Sequence, residues 1–328
     1  MIEILNGGIY TTVQDYPGRV GYWNVGVPPS GPMDALAFRI ANRLVGNGDR
    51  EAGLEITVIG PKFRFMCDTV VAFTGAKLQG SLNGEEIPWW EAFYVKKESI
   101  LSLGASKGYG CRSYMAVYGG IDVPDYLGSK STFPKGHFGG FEGRPLAKGD
   151  FLPINNNRKI ESCKKGKLNF DQIPNYGNEW EVGVVPGPHT APDFFTPADI
   201  EMFYSTKWRV HHNSNRLGYR LEGPRPQFAR KDGGEGGRHP SNVHDYAYAI
   251  GTINFTGDMP IILTVDGPSL GGFVSIATIA TSELWKIGQA KPHDYIRFIK
   301  MTFEEAIESL SKQEKMLQKI GKDLSSSD

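Results

Sequence analysis

Residues 25–40 read "VGVPPSGPMDALAFRI", and residues 182–203 read "VGVVPGPHTAPDFFTPADIEMF". Both open on Val-Gly-Val, cross a proline-rich loop and run into a helix-like pattern. The likeness extends further: "NRLVGN" (42–47) and "LEITVIGPKFRF" (54–65) parallel "NRLGYRLEGPRPQF" (215–228). Each half thus reads strand, proline-rich loop, helix, Asn-Arg-Leu, then a strand ending in Gly-Pro. An old duplication giving two related β-barrels is the reading this pattern favours.

The helix signals in the two copies differ. In the first, Pro32 suits a first turn, Leu36, Ile40 and Leu44 recur on one face, and Gly46 is a stop. In the second, Thr196 reads as the N-cap, with Pro197 at the first helical position and Asp199 two residues later. Short β-rich runs bounded by Gly or Pro surround both, such as "TVVAFTG", "RSYMAVYGGIDV", "YAIGTINF" and "PIILTVDG". The polar, basic stretch 155–178 reads as a linker. The expected organisation is a first barrel domain over 1–154, the linker over 155–178, a second barrel domain over 179–303 and a C-terminal helix and tail over 304–328. In that tail a Thr302…Glu305 capping box precedes a stripe through Ala306, Leu310 and Leu317, predicting a surface helix that frays into "GKDLSSSD". The expected class is mainly β with a few helices.

Lys+Arg 36 balances Asp+Glu 36, so no net field favours nucleic acid or an acidic membrane. The 41 glycines and 21 prolines are dispersed, with no low-complexity tract. The N-terminal residues lack a signal-peptide pattern, and no apolar run approaches the roughly 18 residues of a membrane span. Cys67, Cys111 and Cys163 are odd in number and far apart, which suits thiols in a reducing compartment. A soluble, cytoplasmic protein is expected.

Familiar catalytic signatures are missing. "LGSKST" (127–132) places a lysine before Ser/Thr but lacks the glycine framing of a phosphate loop. H-E-x-x-H, C-x-x-C and G-x-S-x-G do not occur, and no metal site is expected. Attention falls on "KDGGEGGRHPSNVHD" (231–245), whose glycines let backbone approach a ligand. His239 and His244 there read either as proton-handling groups in a loop-lined pocket or as turn histidines satisfied by backbone. His189, where a strand enters a helix, is placed either to help hold an anion or simply to pack. Asp266, at a strand end before a glycine-rich turn, is either an acceptor over a pocket or an Asx-turn. His211 and His212 are expected on opposite faces of a strand, Trp89–Trp90 in packing, and Glu55 and Arg39 in salt bridges or on the surface.

Longer strings carry a resemblance: "TTVQDYPGRVGYWNVGVPPSGPMDALAFRIANRLVGN", "YGGIDVPDYLGSKSTFPKGHFGGFEGRPLAKGD", "KDGGEGGRHPSNVHDYAYAIGTINFTGDMP" and "DGPSLGGFVSIATIATSELWKIGQAKPHD". Collinear from about residue 3 to 304, they resemble the carboxyltransferase domain of urea carboxylase, within a wider family that includes allophanate hydrolase subunit 2 and the 5-oxoprolinase C-subunit. The resemblance implies two tandem cyclophilin-like β-barrels. It also implies transfer of a carboxyl group from carboxybiotin to urea, giving allophanate. Biotin would be carried by a partner, and ATP spent by a partner, consistent with the missing phosphate loop. Implied partners are a small companion subunit, a biotin carboxylase and a biotin carrier protein. The chain holds no Met-Lys-Met carrier motif, so it is expected to act as one subunit of a complex.

Carried onto this sequence, the resemblance makes Asp266, Arg238 and His189 the catalytic group. Asn24 and Tyr22, with Glu235, His239, Asn242 and His244, would bind substrate. Asn24 stands where urea-using members tend to carry Asn and guanidine-using members Asp; a neutral amide matches urea, a carboxylate matches guanidinium. Two readings compete: a 5-oxoprolinase C-subunit, and a non-catalytic regulatory partner of a kinase inhibitor.

Overall fold

The computed structural model describes residues 1–155, 160, 163 and 165–326. Residues 156–159, 161, 162 and 164 of the predicted linker, and 327 and 328 of the predicted tail, lie outside the described residues. The fold is mainly β with a few helices, and its β structure forms two tandem cyclophilin-like barrel units. One unit comprises Met1–Val20, Pro29–Tyr176 and Lys315–Asp328; the other comprises Gly21–Pro28 and Gly177–Glu314. The short Gly21–Pro28 segment, which carries Asn24, thus groups with the second unit.

The first unit has two antiparallel sheets. One runs in spatial order Phe151–Leu152, Ile2–Asn6, Lys62–Phe65, Ile100–Ser106, Leu78–Leu82, Glu85–Glu86; the other Tyr10–Gln14, Gly53–Thr57, Arg112–Val117, Thr69–Gly75, Ala92–Val95. Ile2, Leu54, Phe63, Phe65, Phe73 and Met115 fill its core, each such side chain contributing about 1.5–3 kcal/mol on burial. Helix α1 (Ala35–Leu44) packs on the second sheet. Its N-cap is Asp34, whose side chain accepts from Ala37 N–H at 2.8 Å, so the expected Pro32 lies before the helix. The expected single apolar face is also exceeded: Leu36 through Asn42 are all buried, as is Leu44.

The second unit closes into a barrel in the order Glu179–Pro186, Ser275–Ile279, Thr252–Thr256, Met259–Leu263, Gly218–Glu222, Trp208–Val210, Tyr295–Lys300. The closing pair, Tyr295–Lys300 against Glu179–Pro186, is parallel, and the others are antiparallel. Trp208, Phe203, Phe255 and Phe298 fill its centre, with Phe203 stacked on Phe298 at 4.8 Å. Helix α2 (Pro197–Ser205) starts at the predicted capping box: Thr196 Oγ1 accepts from Asp199 N–H, and the Asp199 carboxylate accepts from Thr196 N–H. Beside the barrel, Asn242–Ala247 pairs with Leu270–Phe273. After the short α3 (Leu284–Gln289), the predicted Thr302/Glu305 capping box opens α4 (Phe303–Ser326). The expected fraying over 321–328 does not begin at Gly321, since the helix continues to Ser326 and its Leu317 and Ile320 are buried.

The proposed repeat holds as strand–loop–helix but fails in two details. The first Val-Gly-Val is not a strand: Trp23–Val25 forms a 3-10 turn, and the preceding strand is Tyr10–Gln14. Asn-Arg-Leu ends α1 in one copy but lies in a turn before Gly218 in the other. His211 and His212 follow the strand Trp208–Val210 and stack at 4.0 Å instead of facing opposite ways.

Candidate functional site

In the second unit, the loop that follows Glu179–Pro186 places a half-buried imidazole against the barrel wall. His189 Nδ1 accepts from the backbone N–H of Ser275 at 3.1 Å, which puts the ring proton on Nε2. Phe194 and Tyr246 pack edge-on against the ring at 4.6 and 4.7 Å. Burial lowers the His189 pKa below its usual 6.5; Glu235 opposes this and Arg230 adds to it. The group is therefore a neutral imidazole near pH 7.

Tyr246 extends the cluster. Its hydroxyl donates to Phe273 C=O at 3.0 Å and touches Ser275 Oγ, which donates to Asn254 Oδ1 at 2.5 Å. Burial raises the Tyr246 pKa, so the phenol stays protonated and able to donate. Tyr248 lies edge-on to Tyr246 at 5.0 Å, and its carbonyl accepts from Trp23 Nε1 at 2.9 Å. Trp23 neighbours Asn24, which is exposed in the 3-10 turn Trp23–Val25. Tyr22 closes that turn, its carbonyl accepting from Val25 and Val27 N–H. One run of contacts therefore ties the Asn24 turn to His189 through Tyr248 and Tyr246.

Other expected site residues are placed differently. Asp266 is buried, and both of its oxygens accept from Arg216, at 2.8 and 3.1 Å. It is neither an Asx-turn nor in contact with His189 among the described interactions. Arg238 is exposed, with φ at 64°. Glu235 accepts from Arg230 Nη2 at 3.0 Å. His239 Nδ1 accepts from Ser241 N–H at 3.2 Å, and its Nε2 lies 3.4 Å from Asp258. Asn242 donates to Gly237 C=O at 2.9 Å. These last two bonds shape the glycine-rich loop, the local role that the sequence left open. His244 is exposed on its strand.

Arg230, Phe194, Tyr246, Ser275 and Asn254 escape sequence reasoning. The faint signal was Tyr246 and Tyr248 two residues apart in an extended, β-rich run, the spacing that puts side chains on one face, although the strand itself ends at Ala247. The register shift between Asn242 and Tyr246 spoils that alternation upstream. "LGSKST" is also explained: Asp15 already fills it with an internal anion. Its carboxylate accepts from Lys130 N–H at 2.8 Å, Ser129 Oγ at 2.6 Å and Ser131 Oγ at 2.5 Å. Glu55, one expected surface option, is instead buried and accepts from Met33 N–H and Tyr114 Oη. Trp89 packs as expected, stacked on Phe73 at 5.2 Å. Among the described residues no helix is long and apolar enough to cross a membrane.

Comparison with known proteins gives a consistent picture. A family model described as carboxyltransferase domain, subdomain A and B, matches residues 25–300. The chain is 54% identical over 309 residues to urea amidolyase of Saccharomyces cerevisiae, covering 93% of this chain and 17% of that protein. It is 32% identical over 321 residues to the 5-oxoprolinase C-subunit of Escherichia coli, covering 98% and 97%. Among solved structures, the K. lactis urea amidolyase superposes with a TM-score of 0.91 at 48% identity, covering 97% of this chain and 20% of that one. The chain thus spans about 17% of the length of the urea amidolyases it matches.

Proposed function

Because the chain belongs to the carboxyltransferase-domain family, subdomains A and B, we propose that it performs the carboxyl-transfer step of a biotin-dependent, urea carboxylase-type reaction, with urea as acceptor and allophanate as product. The observation that carries this is the 54% identity over 309 residues to a urea amidolyase, against 32% to the 5-oxoprolinase C-subunit. On this reading ATP is spent by a biotin carboxylase partner, biotin rides on a carrier partner, and the assembly also holds a small companion subunit. The second reading, a 5-oxoprolinase subunit, draws on the 97% coverage of that relative's length.

The donor set around His189 suits a ureido group and its carboxyl. An imidazole N–H, a phenol kept protonated and a guanidinium are grouped about the Phe194 and Tyr246 rings. These residues would hold the biotin ring; when bound, carboxybiotin supplies the carboxyl group that is transferred. His189 Nε2–H donates a hydrogen bond to oxygen on which negative charge develops, and Tyr246, its own proton on Phe273 C=O, fixes the imidazole from its edge. Asn24, with one amide acceptor and two donors, orients neutral urea, and Tyr22 flanks it. His189 stays a donor through Nε2, since Ser275 N–H occupies its Nδ1 lone pair, and the proton that the attacking nitrogen releases passes to the departing ureido group. Asp266 acts on the site through Arg216, as a positioning residue, while Arg238, His239, Asn242 and His244 belong to the loop wall.

The test is an assay of the chain assembled with its biotin carboxylase and carrier. Avidin-sensitive, urea-stimulated ATP turnover is expected, and His189→Ala is expected to lower it by roughly 10²–10³-fold. Avidin-insensitive turnover of 5-oxoproline would replace this reading with the second.

A further inference from the structure

Arg230 is anchored at three points, one of them the Phe194 ring that His189 also contacts. Its Nε donates to Asp193 C=O at 3.2 Å, its Nη2 donates to Glu235 at 3.0 Å, and its Cζ lies 4.4 Å from the Phe194 centroid. Phe194 also carries His189 on its edge, at 4.6 Å. The backbone leading into Arg230 is held as firmly. The buried Asp199 carboxylate accepts from Gln227 and Phe228 N–H at 2.7 and 3.0 Å, and Ala229 N–H bonds to Phe194 C=O. Arg238 shares none of these anchors among the described interactions.

The partner of Arg230 is held loosely. Glu235 is 39% exposed, in a stretch with Gly233, Gly234, Gly236 and Gly237 around it. An ion pair this open contributes little, so exchanging one carboxylate for another is close to neutral. The Arg216–Asp266 pair, at 6% and 4% exposure, has no such freedom. The two bonds named use two of the five guanidinium donors, whose fork matches a carboxylate in two-point contact.

We propose that Arg230 is the carboxylate-binding residue of this site, and that Glu235 is an internal counter-ion which the ligand's carboxylate displaces. The inference rests on the carboxyltransferase reading above and adds to it the residue that recognises the carboxylated product. The transferred group is an anionic carboxylate before and after transfer, and a fixed guanidinium beside a neutral imidazole holds it in both states.

Allophanate and biuret test this on the full chain, since they share size and backbone and differ in carboxylate against carboxamide. Binding is read by calorimetry and by the His189 ring resonances. Wild type is expected to prefer allophanate by at least roughly tenfold. Arg230→Gln is expected to erase the preference. Glu235→Gln, which does not depend on the fold tolerating loss of the arginine, is expected to tighten allophanate several-fold and leave biuret unchanged. If Arg230→Gln keeps the preference, or Glu235→Gln weakens allophanate, the inference falls while the product site stands. If neither ligand shifts the His189 resonances in wild type, the inference and the carboxyltransferase reading fall together.

Discussion

The two units use one strand–loop–helix layout for opposite ends. In the first, the loop before α1 is sealed by a buried polar network. Asp34 caps α1 and accepts from Tyr176 Oη at 3.2 Å; its N–H donates to Tyr114 Oη, which in turn donates to the buried Glu55. Burial, then Glu55 and Asp34, push the Tyr114 pKa up, and burial with Asp34 does the same to Tyr176, so both phenols remain neutral donors. In the second unit Thr196 and Asp199 cap α2 reciprocally, and the loop before it carries a half-buried histidine beside Tyr246, which is only partly covered. Where the network is completed internally, the loop is a plug. Where donors are left at the surface, the loop can hold a ligand.

The sharpest way to break this contrast is at the sealed end. Arg112 lies 3.4 Å from Glu55, with both side chains almost wholly buried. Arg112→Ala leaves a buried carboxylate without its cation and is expected to cost about 3–5 kcal/mol by calorimetric unfolding. A loss under about 1 kcal/mol would mean the network is not sealed. Asp266→Ala is expected to cost about as much, because it leaves the buried Arg216 guanidinium without its counter-charge. Asp266→Asn, which keeps the shape but removes the charge, should lose most of the same stability, and near-full stability in that variant would mean the charge pairing is not what holds this end.

A smaller effect compares the two caps directly. Thr196→Ala should cost about 1 kcal/mol, an ordinary cap value. Asp34→Ala should cost more, about 2–3 kcal/mol, because Tyr176 also loses an acceptor in a buried setting. Equal losses would erase the distinction between plug and site.

The smallest effect is in pH. The folded His189 pKa lies below the unfolded 6.5. Between those values the unfolded chain binds the extra proton, so this residue's contribution to stability is full above pH 6.5 and is lost as pH falls through the folded pKa. Ring-proton NMR should show a midpoint below 6.5, and Glu235→Gln should move it lower still, because Glu235 is the group holding it up. A midpoint at or above 6.5 would contradict burial as the leading cause.

Much of the fold was legible. The Thr196–Pro197–Asp199 and Thr302–Glu305 boxes mark helix starts by local chemistry, because a cap and the N–H it satisfies lie within three residues. Pro32 misled, since Asp34 two residues on supplies the cap and the helix starts at Ala35. Glu55 and Asp266 were legible as carboxylates but not as buried ones, because Arg112 meets Glu55 across neighbouring strands and Arg216 meets Asp266 from a turn 50 residues away. The site was less legible than the fold: His189 could be named, whereas Arg230, Tyr246, Ser275 and Asn254 could not.

What the sequence by itself determined are the terms set by neighbours: helix caps, turn positions, strand lengths, the missing phosphate-loop framing and the doubled strand–loop–helix order. What only the tertiary structure decided is which charges and phenols meet. His189 lies 86 residues from Ser275, and Trp23 lies 225 from Tyr248. Contacts at such separations depend on barrel closure and loop path, and no local propensity encodes them. That is why the same layout reads alike twice in the sequence and yet folds once around a buried polar network and once around a half-buried histidine.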